Sequence, residues 1–359
     1  MSVAVQQSVP EHDQSEAFAP SREGRRPGVI GPVPRLVDGF GRRFKYLRLS
    51  ITEVCNFRCT YCLPDGYQKT VARPFLTVPE IGRLVEAFAG LGVGKVRLTG
   101  GEPSVRRDLG EIIRLVHDTP GVDKVAVTTN GWNLARQIDD WCAGGLTNLN
   151  VSVDSLDRTL FHQITGHDRL PAVMGGLDRA LELGVPSVKI NAVLLKDAAG
   201  PNQFAQFADF VRDRPVAVRF IELMRTGDNA DYFARQHVGG QLLRSWLKSG
   251  GWTPGTRGHD DGPAVEYVHP DHLGRIGLIA PYGAGFCDGC NRLRVTARGK
   301  LRLCLFGDGG IDLRDLLVDA ADREPLVDRI ASALGGKQAG HRLADQVTGD
   351  TRQLAQLGG

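Results

Sequence analysis

The sequence predicts an α/β fold, a partial (β/α)6 TIM-like barrel followed by a smaller C-terminal domain that carries a second cysteine cluster. Three observations carry the prediction. From about residue 44, short β-rich runs alternate with helical stretches. Within the strands apolar and polar residues alternate, and after about residue 236 the pattern shifts to short hairpin-like runs. At 359 residues the chain is long enough for one large domain and a smaller one.

Residues 1–37 are rich in Ser, Gln, Glu, Arg, Pro and Gly with no apolar period, which predicts a disordered N-terminal extension. The barrel is assigned to residues 38–235, with strands at 46–50, 95–99, 124–128, 149–154, 187–194 and 217–222. Apolar spacing predicts helices at 78–91, 109–117, 134–142, 170–183 and 204–211. Because strand side chains alternate sides, Leu47, Leu49, Val96, Leu98, Val125, Val127, Val151 and Ile190 should face the helices. The other parity holds Arg48, Arg97, Thr128, Asn150, Ser152, Asp154, Lys189 and Asn191. A packed barrel interior would be apolar, so this one is expected to be a polar, partly cationic cavity. The alternative, a solvated face of an open sheet, is disfavoured because parallel sheets are normally covered on both sides. Residues 236–345 form the expected C-terminal domain, with a helix near 242–247, a Gly/Pro/Asp-rich link at 249–263 and hairpin-like runs at 265–279 and 293–306. A tail, 346–359, ends in Leu357-Gly358-Gly359.

A formal net charge of +3 is too small to argue for nucleic acid or an anionic membrane. No apolar run reaches the roughly 18 to 20 residues of a membrane span. The first 37 residues lack a secretory apolar region, and Glu11, Asp13 and Glu16 argue against a transit peptide, so a cytoplasmic protein is expected. In that reducing compartment the seven cysteines read as metal ligands or thiols, not as a disulfide frame. Six fall into two clusters, and Cys142 alone reads as a small buried hydrophobe.

Cys55-x3-Cys59-x2-Cys62 directly follows the first strand, at the carboxyl end of the sheet, where α/β folds bind ligands. Three thiolates from one loop can hold three irons of a cubane cluster and leave the fourth open to substrate. A zinc site would want a fourth ligand, and a Cys59-x2-Cys62 redox pair would leave Cys55 unexplained. The run Cys55-Asn56-Phe57-Arg58-Cys59-Thr60-Tyr61-Cys62 resembles the signature of the radical S-adenosylmethionine superfamily. Gly100-Gly101-Glu102-Pro103, after the second strand, is similar to that superfamily's glycine–glycine–glutamate–proline motif. The resemblance implies that Tyr61, Gly101, Ser152 and Met224 contact S-adenosylmethionine.

Cys287-x2-Cys290-x13-Cys304 is a second three-thiolate set, interrupted by Arg292-Leu293-Arg294. A half-formed zinc ribbon completed by His259, His269 or His272 is the bland alternative. Two guanidinium groups beside an open metal suit a purine or phosphate ligand. Both clusters, the Arg-x-Arg and the Gly-Gly end together resemble the GTP 3',8-cyclase family, also called molybdenum cofactor biosynthesis protein A, from about Phe44 to Gly359.

That resemblance implies two 4Fe-4S clusters, the first on Cys55, Cys59 and Cys62 and the second on Cys287, Cys290 and Cys304, with GTP docking its base on the second. It assigns GTP contacts to Arg48, Arg97, Thr128, Lys189, Arg292, Leu293 and Arg294, and an active-site role to Gly358 and Gly359. It further implies reductive cleavage of S-adenosylmethionine to a 5'-deoxyadenosyl radical. That radical takes the ribose 3'-hydrogen of GTP, and attack on C8 gives 3',8-cyclo-7,8-dihydro-GTP. Cyclic pyranopterin monophosphate synthase downstream and a flavodoxin or ferredoxin reductant are implied partners; a homodimer is one option. Two departures stand out: Met224-Arg225 where the family often has Met-Pro, and Leu63 in place of a common methionine. The other readings are a peptide-modifying radical enzyme with an auxiliary cluster and a zinc-dependent interaction module.

Overall fold

The structure, a computed structural model, describes residues 36–69, 73–256, 262–318 and 323–358. Residues 1–35 of the expected extension, His259 and Gly359 lie outside them. The extension's last two residues join the fold, since Leu36 is buried in the core and Val37 bridges to Arg43.

The barrel units run β1 (Tyr46–Ser50), α1 (Val78–Gly90), β2 (Lys95–Thr99), α2 (Leu109–Asp118), β3 (Lys124–Thr129), α3 (Leu134–Ala143) and β4 (Asn148–Ser152). They continue with α4 (Arg158–Thr165), α5 (Leu170–Glu182), β5 (Ser187–Leu194), α6 (Pro201–Arg212) and β6 (Val216–Glu222). Local chemistry sets the boundaries. Thr77 and Glu80 form a reciprocal capping box at the start of α1, the Glu80 carboxylate accepting from Thr77 N–H at 2.7 Å. Asp157 caps α4 by accepting from Leu160 N–H at 2.8 Å, and Gly166 ends it with φ 74°. The apolar pattern alone does not mark α4, whose eight residues bury only Phe161, Ile164 and Thr165.

After β6 come α7 (Ala230–Gln236), α8 (Gln241–Ser249), β7 (Thr253–Pro254), β8 (Val265–Val268), β9 (Arg275–Ile279), β10 (Arg292–Val295), β11 (Lys300–Arg302), β12 (Ile311–Asp312) and α9 (Glu324–Ala333). Their strands join the barrel sheet, whose order is β12-β11-β10-β1-β2-β3-β4-β5-β6-β9-β8-β7. β10 lies parallel to β1, placing Arg294 beside Arg48, and β9 lies parallel to β6, placing Gly277 beside Arg219. The expected hairpins exist, as β8 with β9 and β10 with β11, but each also lends its barrel-side strand to an open edge of the six-stranded unit. The described residues all fall in one compact unit. The apolar parity behaves as predicted: Leu47, Leu49, Val96, Leu98, Val127, Val151 and Ile190 are fully buried under the helices.

Candidate active site

The opposite parity lines a cavity of about 310 Å3 at the carboxyl ends of the strands. Arg48, Arg97, Thr99, Thr128, Asn150, Ser152, Asp154, Lys189 and Asn191 all face it. So do both thiol triads, Cys55, Cys59 and Cys62 from the loop after β1 and Cys287, Cys290 and Cys304 from around β10 and β11.

The first loop is pinned by the end of α4, where Arg58 N–H donates to the Thr165 carbonyl at 3.1 Å and Thr60 N–H to that of Ile164 at 2.9 Å. Phe57 anchors it, packed edge-on against Trp132 and Phe161 and stacked on His167. The loop also rests on the Gly100-Gly101 turn. A Cβ on Gly100 would lie 2.3 Å from the Thr52 carbonyl oxygen, and one on Gly101 would lie 2.4 Å from that of Val54. These glycines therefore permit backbone contact with the thiol loop itself, sealed by Gly101 N–H to Thr52 O at 3.0 Å and Glu102 N–H to Val54 O at 2.8 Å. Glu102 is fully buried and locks the neighbouring turn, accepting from Ser104 N–H, Thr129 Oγ1 and Asn130 N–H.

All six clustered thiols are free. Burial pushes Cys55 up to about 12 and Cys62 up to about 11, and raises Cys59 well above the ordinary thiol range. Such partly buried thiols ionise when a cation coordinates them, and three soft sulfur donors from one loop suit an iron–sulfur cluster. In the second triad burial raises Cys287. Burial also opposes ionisation of Cys290, but the charges of Arg292 and Lys337 outweigh it and lower that thiol. Among the described residues no three His, Cys, Asp or Glu side chains gather closely enough for a single ion, yet within each triad the thiols lie near enough for their charges to act on one another. His269 and His272, considered as zinc ligands, pair with each other at 3.0 Å and pack on Trp252, and neither lines the cavity.

Between the triads runs a cationic wall. Pairing aligns Arg294, Arg48 and Arg97 on one rung and Arg292, Tyr46 and Lys95 on the next. Eight Lys or Arg line the cavity against three Asp or Glu, so its field favours a polyanion. Burial, and then the repulsion of Arg48 and Arg292, holds Arg294 well below its usual range. Burial and the nearby Arg219 bring Lys189 down to about 8. Arg97 donates to Thr128 Oγ1 at 2.9 Å and to the Tyr46 hydroxyl.

The structure places the remaining expected site residues as follows. Tyr61 donates its hydroxyl to Asp154 at 2.9 Å, and Ser152 and Met224 line the cavity. The carbonyl of Gly358 accepts from Arg48 at 2.7 Å and from Arg294 at 3.4 Å. The Leu293 side chain is fully buried in the core, on the opposite side of β10 from Arg292 and Arg294, which leaves its backbone as the part that could meet a ligand in the cavity. At the departure from Met-Pro, Arg225 uses a backbone N–H that proline lacks, donating to the Tyr282 hydroxyl at 2.9 Å. Tyr46, Lys95, Arg219 and Lys337 also line the cavity. Strand parity could have supplied the first three, whereas nothing in the local pattern marks Lys337.

A partial parallel barrel with a three-cysteine loop after its first strand defines a radical S-adenosylmethionine enzyme fold. The model of the Radical SAM superfamily matches residues 49–207, and that of Molybdenum Cofactor Synthesis C matches 216–343. SuiB of Streptococcus suis, solved bound to S-adenosylmethionine, shares the fold with a TM-score of 0.58 at 14% identity, over 87% of this chain and 77% of that one. Much nearer in sequence is the GTP 3',8-cyclase of Stenotrophomonas maltophilia (strain R551-3), 57% identical over 91% of this chain and 100% of the relative. The GTP 3',8-cyclase of Vibrio parahaemolyticus is 53% identical over 90% of this chain and 97% of the relative. The chain belongs to the GTP 3',8-cyclase family.

Proposed function

We propose that the chain performs the family's reaction, converting GTP to 3',8-cyclo-7,8-dihydro-GTP as the first step of molybdenum cofactor biosynthesis, with two 4Fe-4S clusters and S-adenosylmethionine. The 57% identity along the whole relative carries this reading, and two thiol triads facing one cationic cavity support it. Cys55, Cys59 and Cys62 would hold the initiating cluster, and Cys287, Cys290 and Cys304 the substrate-side cluster. When bound, the first cluster supplies the electron that cleaves S-adenosylmethionine and so yields the radical that takes the ribose 3'-hydrogen.

The chain's own task is positioning and exclusion. Arg48, Arg97, Lys189, Arg292 and Arg294 offer the triphosphate its counter-charge, with Thr128 fixing the Arg97 fork. Tyr61, Gly101, Ser152 and Met224 are the cofactor contacts in this reading. The Gly358 carbonyl accepts from Arg48 and Arg294, two of the arginines that this reading gives to the triphosphate, which supports a role for the tail there. Gly359 is assigned by resemblance. We read residues 236–345 as the substrate-cluster module and 346–359 as its tail. No helix among the described residues is long and apolar enough to cross a membrane. Free thiols in both triads fit a cytoplasmic enzyme, served by a flavodoxin or ferredoxin and delivering its product to cyclic pyranopterin monophosphate synthase, with homodimerisation as a further element of the reading.

The test is substrate-stimulated cofactor cleavage. Reconstituted, reduced protein incubated with S-adenosylmethionine and each common nucleoside triphosphate should release 5'-deoxyadenosine in response to GTP alone. Equal turnover with all of them would reject the substrate assignment.

A further inference from the structure

Lys337 has no role in the proposed reaction beyond the charge it places beside Cys290. It is 6% exposed, lines the cavity beside the second thiol triad and sits on the segment between α9 and the tail. A buried ammonium needs an anion, because its desolvation is otherwise uncompensated. Its hydrogen bond goes to the neutral Leu303 carbonyl, next to Cys304, and its aromatic contact is the Phe44 ring at 5.1 Å. The acidic groups whose charges act on it most are Cys290 and Cys304; Asp38 follows them. That carboxylate is already committed to Arg42 at 2.7 Å. The anion that Lys337 lacks is therefore the triad itself, once its sulfurs are ionised by a cluster.

The surrounding segment is built to hold this placement. Arg42, itself buried, donates to the Cys287 carbonyl at 3.0 Å, the Ala339 carbonyl at 2.5 Å and the Gln338 carbonyl at 2.7 Å. One guanidinium thus ties the loop that carries Cys287 to the two residues that follow Lys337. Gly340 lies against Cys287, where an added Cβ would stand 3.6 Å from its sulfur.

We propose that Lys337 is a positioning residue for the second cluster, the fixed counter-cation of Cys290 and Cys304, held in register by Arg42. The inference rests on reading that triad as a cluster site. A cation there stabilises the added electron on reduction and retains the thiolates against competing protons and chelators.

The test compares reconstituted wild type with Lys337→Met and Lys337→Arg, assigning the second cluster's paramagnetic signal as the one that Cys304→Ser removes. Lys337→Met should shift that cluster's midpoint potential to lower values and lose its iron to a chelator several-fold faster. The first cluster's signal should not change, and Lys337→Arg should restore both properties. An unchanged potential and chelation rate, with only the KM for GTP raised, would overturn the proposal and make the ammonium a phosphate contact. Wild-type protein that takes up a single cluster, or zinc at the second triad, would instead overturn the reading beneath it.

Discussion

Tyr46 shows how charge is balanced at the level of one side chain. Burial opposes ionisation of its phenol, yet Arg97, Arg48 and Lys95 outweigh burial and bring it down to about 6 from the ordinary 10. A group whose pKa is lowered on folding adds stability that is absent below the folded value, grows between about 6 and 10, and is complete above 10. In this window Tyr46 is a placeholder anion among cations that otherwise repel one another. A triphosphate entering the same wall brings competing negative charge, so the phenol should regain its proton. Calorimetric titration with GTP at about pH 7.5, in two buffers of different ionisation heat, should show about one proton more taken up by wild type than by Tyr46→Phe. Equal uptake by the two proteins would mean that the phenol does not regain a proton when GTP binds. Lys189, brought down to about 8 by burial, is already mostly protonated at that pH and can take up only the remaining fraction, in both proteins alike, which is why the difference between them is the informative quantity.

At the scale of elements, the turn after β2 fits the thiol loop so closely that its glycines have a stability consequence. Gly100 has φ 156° and no room for a Cβ beside the Thr52 carbonyl. Gly100→Ala should cost roughly 3 kcal/mol of unfolding free energy. Gly90, at the end of α1 with nothing within 4 Å of an added Cβ, should tolerate alanine with a change of at most about 1 kcal/mol, favourable in sign. Urea unfolding of the two variants checks the contrast, and equal midpoints would remove the packing argument. The same elements show what was legible in the chain. Period-two alternation found all six barrel strands and told cavity wall from core, because each strand has one face under helices and one on polar space. It missed α4 because eight residues bury only one turn's worth of apolar side chains, although Asp157 and Gly166 mark its ends. It also missed α7, which fully buries no residue and packs only Tyr232 and Phe233 against a small side cluster. The same alternation turns the Leu293 side chain into the core while its two arginine neighbours face the cavity. The partnership of β10 with β1 joins residues far apart in sequence, and no local pattern records it.

At the scale of the whole molecule, that partnership decides whether the barrel can exist alone. Six parallel strands leave two open edges, and an exposed edge presents unpaired N–H and C=O groups to any other chain. Here β10 pairs with the β1 edge and β9 with the β6 edge, so the C-terminal chain closes both sides of the unit that holds the first triad. β10 also carries Arg292 and Arg294 into the wall, which makes edge closure and completion of the site one structural event. A chain ending at residue 249, after α8, would keep the first triad and every barrel helix but lose both closing strands. Such a fragment should elute as aggregate and bind hydrophobic dyes, while the full chain gives one symmetrical peak and a single cooperative unfolding transition. If the fragment instead remained monodisperse and unfolded cooperatively, the barrel would be self-sufficient. The pairing of β9 and β10 would then serve to place the second triad and its arginines, not to protect the sheet.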